Sequence, residues 1–530
     1  MTQSASLKKR FGFKLIANVI GVVLGLITMA FVPRALGPEQ FGKFEFITNN
    51  FKLIFDTLAL QVPVAYFNWV SRKGHKEDTD LSSGVTLYFT MGIGLLFGLF
   101  LALMQVGGLH DLLWPEVSPV YLWDALAFTL AVAFYQFLVY LSDGKSLTVG
   151  MEKIRLLQNA LKCLILVGLV LLGMMNLQTY FLAQVAVLGG TALLSATWLN
   201  RQGAWHLPAM KPWKFPREEV KRYCRFTLEY ARPLTLLMFS GFLFLYFDRW
   251  FLQLIGGSAQ QGFFGLSDRL GQIAFIFTSA MTPLLTREFA LAHEEQDRGR
   301  LLGLFERIRL FLFIATVTSC FLSVQSETIV ALVGGDKFKG AVVPIALMAL
   351  YPIHQTFGQL SGSLMVATGQ TWLYARIGII MMVVSLPITY FCIAPASYAI
   401  PGLALGATGL ALKMLIWQFV GTNVQLYCNT RYLGIGFLKW IGVQVGLIAA
   451  MYALAFGSNV AVDSCDFSAL AHLVSLPPLS EVVVTLCAKL VVSGILYLLA
   501  VASLFLLLPQ IAGLTRNDIK IGLHSFGKRA

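Results

Sequence analysis

Asn49, Lys52 and Asp56 are the residues of this chain whose types and spacing point most directly to chemistry. They stand three and four apart in LGPEQFGKFEFITNNFKLIFD, residues 36–56, so a helix places them on one face as a polar stripe about two turns long. An amide, an ammonium and a carboxylate on one face can hold an anionic group, bond hydroxyls and exchange a proton or a small cation. The surrounding residues are apolar enough to enter a bilayer, where an ionisable side chain costs at least ~2.5 to 3.5 kcal/mol near the centre. The stripe must therefore face a protein interior or a watery cavity. At ~1.5 Å per residue, Lys52 lies ~12 Å and Asp56 ~18 Å from the Phe44 end, which puts Asp56 near mid-membrane. The competing reading is an ion pair that neutralises itself within one helix.

Further polar groups fall inside apolar stretches: Asn18; Gln158, Asn159 and Lys162; Asp248 and Arg249; Asp268 and Arg269; His354, Gln355 and Gln359; Lys413 and Gln418; and Lys489. Asp248 with Arg269, or Arg249 with Asp268, can bridge two spans as structural glue or can bind a substrate. His354 titrates near neutrality and can couple protons, or it simply bonds a neighbour. Arg249 and Arg269 lie nearer an outer interface, and Lys162 and Lys489 about two turns from the cytoplasmic end.

The elements that position these groups are membrane helices. With 57% hydrophobic and only 13% charged residues in 530, the chain carries more apolar surface than a soluble domain can bury. Spans of ~20 residues divide it into about fourteen transmembrane helices, the second over 44–70. The net charge of +13 does not form a nucleic-acid surface. Most Lys and Arg fall in short segments on one side, which orients both termini to the cytoplasm. Lys8, Lys9 and Arg10 precede a run long enough to span, without a cleavage site, so it reads as an uncleaved first helix. A basic connector, 201–232, follows the sixth span; its PREEVKRYCRFTLEY segment is either an amphipathic surface helix or a solvated loop.

Enzyme motifs fail. Gly144, Lys145 and Ser146 resemble a P-loop end, but Val139 stands where a glycine is needed. His293 opens no zinc-binding helix, and the cysteines lack metal-ligand spacing, so neither a metal nor a cofactor is expected. The longest outer loop, Asn459 to Ser480, holds Asp463, Asp466 and His472 but no arginine, poor equipment for gripping a pyrophosphate-linked sugar donor.

The chain repeats. Gly37 and Gly42 flank PEQF before Phe44, and Gly257 and Gly262 flank SAQQ before Phe264, each 220 residues on. That offset sets Thr48, Asn49 and Lys52 opposite Asp268, Arg269 and Gln272, and leaves Asp56 opposite Ile276. A fainter echo at 219 pairs Gln136 with Gln355 and Gly150 with Gly369. Duplication in the same orientation predicts an all-α membrane protein of two pseudo-symmetric six-helix lobes plus two C-terminal helices. Its segments are 1–200, the 201–232 connector, 233–427, and 428–530.

PRALGPEQFGKFEF, DRWFLQLIGGSAQQGFFGLSDRL, GGDKFKGAVVPIALMAL and ATGQTW together resemble the polysaccharide transporter and O-antigen flippase (Wzx-like) branch of the MOP (MATE-like) superfamily. The resemblance implies two six-helix lobes that move an undecaprenyl-pyrophosphate-linked oligosaccharide across the inner membrane by alternating access. It further implies a cationic central cavity that receives the headgroup, formed by Asn18, Asn49, Lys52, Asp248, Arg249, Asp268 and Arg269. Coupling to a proton or sodium gradient would use a carboxylate or imidazole, with Asp56, Asp248 and His354 as candidates. Lipids and other polysaccharide assembly proteins are the expected partners. A multidrug or cation antiporter of the same superfamily is the alternative, disfavoured because Lys52, Arg249 and Arg269 balance the acids. A glycan ligase or polymerase is disfavoured by the modest outer loop.

Overall fold

The computed structural model describes residues 7–71, 79–206, 211–272, 276–465 and 481–514; Asp466 and His472 of the long loop, and the side chains of Lys8, Lys9, Arg10 and Ile276, lie outside this description. Among the described residues every long element is a helix, and ten are long and apolar enough to cross a membrane. The expected first and second spans share the single stretch Ile16–Leu58, and the other three expected spans fall on helices that carry charge, around Asp248, Asp268 and Lys413. The chain divides into two compact units, residues 1–262 and 263–530.

The first unit begins with α1 (Leu7–Leu58), two helices merged across Gly37, whose φ of 76° and ψ of 168° break the helical path. α8 (Arg217–Gly271) breaks in the same way at Gly257, with φ 74° and ψ −179°. The duplicated glycines thus do one job twice, because φ in that region suits only a residue without Cβ. The other pair in each motif serves close packing. A Cβ on Gly42 would sit 1.7 Å from the Ser258 carbonyl oxygen, and one on Gly262 would sit 2.1 Å from that of Pro38. Glu116 fastens the second break by accepting from the Ser258 backbone N–H at 2.9 Å and its hydroxyl at 2.8 Å, satisfying donors that the interrupted helix leaves open.

Beyond Gly37, α1 is amphipathic in the way its stripe requires. Phe44, Ile47, Phe51 and Phe55 are buried, and Phe51 packs on Phe97 and Trp114 at 4.9 and 5.4 Å between ring centres. Asn49, Lys52 and Asp56 fall on the opposite, open face. α2 (Val62–Ser71), α3 (Thr79–Val106), the short α4 (His110–Leu113), α5 (Pro119–Gly144), α6 (Thr148–Leu171) and α7 (Leu177–Arg201) complete the unit with the start of α8. α6 lies along α1, and α7 along α5.

The connector segment is neither a free loop nor a separate surface helix. It is the first turns of α8, anchored by Tyr223, whose hydroxyl bonds that of Thr86 at 2.8 Å and whose ring meets Trp69 edge-on at 5.3 Å. Apolar and aromatic residues placed among the cations bind this stretch to the bundle.

The second unit holds the end of α8, then α9 (Ile276–Glu294), α10 (Arg298–Val324), α11 (Ser326–Val333), α12 (Val342–Ala367), α13 (Thr371–Ile393) and α14 (Gly406–Leu433). α15 (Phe437–Asp463) and α16 (Glu481–Leu507) close the chain. α12 is the hub, packing on α9, α10 and α14. α10 starts 219 residues after α3, and α11 takes the place of α4, so the repeat extends to helix bounds. The Gly150–Gly369 echo does not hold. Gly369 turns the chain with φ 76°, whereas Gly150 lies inside α6, where a Cβ would strike Trp198 at 2.1 Å; the left-handed residue after α5 is Ser146, with φ 61°.

Lys489 also departs from its expected place. It lies two turns from the Glu481 end of α16 and bonds Asp463 at 3.0 Å, at the end facing away from the C-terminal segment. The spans alternate in direction, so a lysine early in the last one belongs to the side of the 464–480 connection.

Candidate functional site

The helix carrying the stripe does not run through as a single second span. α1 stops at Leu58, and Leu60 and Gln61 take φ of 46° and 60° before α2 begins. Non-glycine residues at positive φ are strained, and non-helical backbone at membrane depth is tolerated where it lines a cavity or is buried in protein. A cavity of 570 Å³ lies there, within the first unit. Thr57, Ala59, Gln61, Pro63 and Val64 from the break line it with Lys52 and Asp56.

Each wall follows from helical spacing. Thr86 and Thr90 come from α3, one turn apart; Thr129, Ala133, Gln136 and Tyr140 form a stripe on α5; Met238, Phe242 and Leu245 come from α8. Lys52 donates to Asp56 in a short ion pair one turn apart, while the two side chains keep 62% and 51% of their surface open. Both readings of the stripe therefore meet: the charges pair, and they pair inside a cavity. At that exposure the pair itself contributes only ~0.2 to 1 kcal/mol, so a ligand can separate it at small cost. The Thr129 hydroxyl is buried with no hydrogen-bond partner among the described residues.

The other expected residues are distributed elsewhere. Asn49 bonds back to Glu45, donating to its carbonyl oxygen at 2.7 Å, and is exposed just outside the lining. Asn18 accepts from Arg155 at 2.5 Å, and Arg155 pairs with Glu152 at 2.6 Å; this α1–α6 contact was hidden because Glu152 and Arg155 precede the apolar run from which the fifth span is read. Asp248 is buried, and the Arg249 carbonyl accepts from Gln261 across the Gly257 break.

In the second unit, Asp268 lines a 390 Å³ pocket with Gln272, Tyr351, Gln355 and Gln359, while Arg269 is not part of the lining. His354 is buried at 6% exposure; its Nδ1 lies 3.2 Å from the Gln444 amide nitrogen, and its ring meets Phe419 edge-on at 5.0 Å. The duplicated residues occupy matching places: Lys52 and Gln136 line the first pocket, and their counterparts Gln272 and Gln355 line the second. Sequence reasoning missed the threonines, Gln61 and Tyr140. Thr57 and Thr90 bond their own helix's carbonyls at 2.8 Å, which makes them ordinary membrane-helix residues until the cavity is seen.

A family model described as "Polysaccharide biosynthesis protein" matches residues 7–289. No curated protein matches the chain. Among solved structures, the lipid II flippase MurJ in an inward closed conformation aligns with a TM-score of 0.62 at 13% identity, covering 93% of this chain and 99% of its own. An inward-facing multidrug resistance MATE transporter of the MOP superfamily aligns with a TM-score of 0.57 at 15% identity, covering 78% and 94%. A MOP superfamily transporter from Pyrococcus furiosus, described as having a binding pocket of reversed polarity, aligns with a TM-score of 0.52 at 15% identity over 79% and 93%. The fold is that of these transporters.

Proposed function

This chain belongs to the polysaccharide biosynthesis protein family, and from that premise we propose that it is a flippase moving a lipid-linked oligosaccharide across the cytoplasmic membrane for polysaccharide export. The observation that carries the reading is the interrupted second span, beside which Lys52 and Asp56 enter a cavity lined by threonine hydroxyls, the Gln61 and Gln136 amides, aromatic rings and aliphatic side chains. Lys52 meets the pyrophosphate while Thr and Gln side chains meet sugar hydroxyls, and the lipid tail remains in the bilayer. The likeness in fold to the lipid II flippase MurJ supports a lipid-linked substrate.

Transport proceeds by alternating access. Asp56 is the carboxylate that couples it to a proton or sodium gradient, because substrate phosphate and Asp56 compete for the same ammonium. The protein sits in the inner membrane with both termini cytoplasmic, and works beside other polysaccharide assembly proteins.

Lys52→Ala removes a charge-assisted contact of ~1.5 to 3 kcal/mol, roughly ten- to a hundredfold in binding. In cells, surface polysaccharide is expected to fall at least tenfold while the lipid-linked precursor accumulates. Normal export with unchanged precursor at normal protein levels would refute the assignment.

A further inference from the structure

The stretch that leads into α8 sets an indole against the lipid-facing surface of α3. That helix is long and apolar enough to cross a membrane, and Tyr88, Met91, Leu95, Leu99, Leu103 and Val106 are exposed along it. Their spacing of three, four, four, four and three makes one row on one face. From Tyr88 to Val106 the row rises ~27 Å, close to the ~30 Å thickness of the hydrocarbon layer. Tyr88 therefore marks one boundary of that layer, with Val106 at the other.

Trp213 sits at the Tyr88 boundary. It belongs to a single tight turn, Pro212–Lys214, and its ring meets Tyr88 edge-on at 5.3 Å while 68% of its surface stays open. Tryptophan and tyrosine at this level place amphipathic rings among lipid headgroups. Packing fixes the turn: the Lys214 N–H donates to the Lys211 carbonyl at 2.9 Å, and Phe215 packs on the cluster of Trp69, Leu81 and Tyr223.

Lys211, Lys214 and Arg217 all lie within four residues of the indole, and Lys214 and Arg217 are exposed. Of the two acids that follow, Glu218 pairs with Lys221 at 2.9 Å and Glu219 is half-buried. A long basic side chain can lay its stem on apolar surface and lift its charge to the phosphates. Each such cation gains attraction from anionic lipid, whereas a zwitterionic headgroup carries its own cation.

We propose that Trp213, Lys214 and Arg217, beside Tyr88, form a binding site for an anionic phospholipid of the bilayer. The phosphate meets the two cations, and an acyl chain follows the α3 row, which a soluble phosphate ester would leave uncovered. The site lies wholly in the first unit, outside the Lys52 cavity, and goes beyond the flippase reading.

The test uses the full chain purified in detergent, with phosphatidylglycerol, phosphatidylcholine and glycerol phosphate as probes and native mass spectrometry to count retained lipids. Wild-type protein is expected to retain phosphatidylglycerol over phosphatidylcholine. Lys214→Gln and Arg217→Gln are each expected to lower that preference about fivefold, with phosphatidylcholine retained as before, which shows that the variants fold. Lys339→Gln, which removes an exposed cation of the second unit, is expected to leave it unchanged. In nanodiscs, phosphatidylglycerol brominated near the headgroup end of its acyl chains is expected to quench Trp213 more than the matching phosphatidylcholine does, read as the difference between wild type and Trp213→Phe. Should a cation variant lose both lipids, this quenching decides. Wild-type protein without a preference, a preference that both cation variants keep or that Lys339→Gln lowers equally, or equal quenching by the two lipids overturns the site. Displacement of phosphatidylglycerol by glycerol phosphate overturns it too, in favour of a site for soluble phosphate esters. Polysaccharide export enters none of these readouts, so the flippase reading stands or falls separately.

Discussion

Lys52 and Asp56 form an ion pair that a close ligand can reopen. Because both side chains are more than half exposed in their cavity, the pair adds at most ~1 kcal/mol. Asp56→Asn keeps the shape, removes the competing charge and leaves the ammonium to the substrate. Affinity for undecaprenyl pyrophosphate is expected to rise up to about fivefold, while export falls and loses its dependence on the external ion gradient. Unchanged gradient dependence in vesicles would remove Asp56 from the coupling step. His354 shows how differently a polar residue can be used. Its imidazole is packed on Phe419 and bonded to Gln444, inside α12's contact with α14 and α15.

Two helices of the first unit meet where side chains are absent. Gly42 and Gly262 each touch a backbone carbonyl of the other motif, the small-residue packing that membrane helices use to approach closely. A methyl group at either position must displace backbone, at a cost of ~1 to 3 kcal/mol. Gly42→Ala and Gly262→Ala are expected to lower the thermal midpoint of the purified protein by several degrees. Gly189→Ala, inside α7 with nothing within 4 Å of the added carbon, is expected to leave it unchanged or raise it slightly, since alanine favours helix. Equal behaviour of the three variants would show that this contact does not hold the unit together.

At the scale of the whole molecule, the last two helices are part of the second unit's core. Trp440, Leu447, Met451 and Ala455 of α15 and Tyr497 and Val501 of α16 are buried in one cluster with Phe305, Leu312 and Phe357. Polar groups lock the arrangement: Gln325 donates to Asn459 at 2.9 Å and to Ser493 at 2.7 Å, and Tyr497 donates to the Val317 carbonyl at 3.0 Å. Truncation after Gly434 would expose that cluster. The shortened protein is expected to lose its monodisperse peak in size-exclusion chromatography and to be degraded in cells. A stable, monodisperse truncation would mean that α15 and α16 are separable additions.

The sequence by itself determined what repeats and apolarity can carry: helices throughout, a duplicated glycine turn at an offset of 220, and the stripe that places Lys52 and Asp56 on one face. These are short-range properties, since helical spacing and the Cβ constraint act within a few residues. Only the tertiary structure decided which polar groups share a cavity. Thr86, Thr129 and Gln136 line one with Lys52 because α3, α5 and α1 converge there, whereas Asn18 turns to Arg155 on α6 instead. Nor could periodicity foretell the break at Leu60 and Gln61, an apolar residue and an amide at positive φ with no glycine to mark the turn. Strain of that kind is held by packing from distant parts of the chain, so the feature that most clearly marks the site is the one that local sequence leaves unwritten.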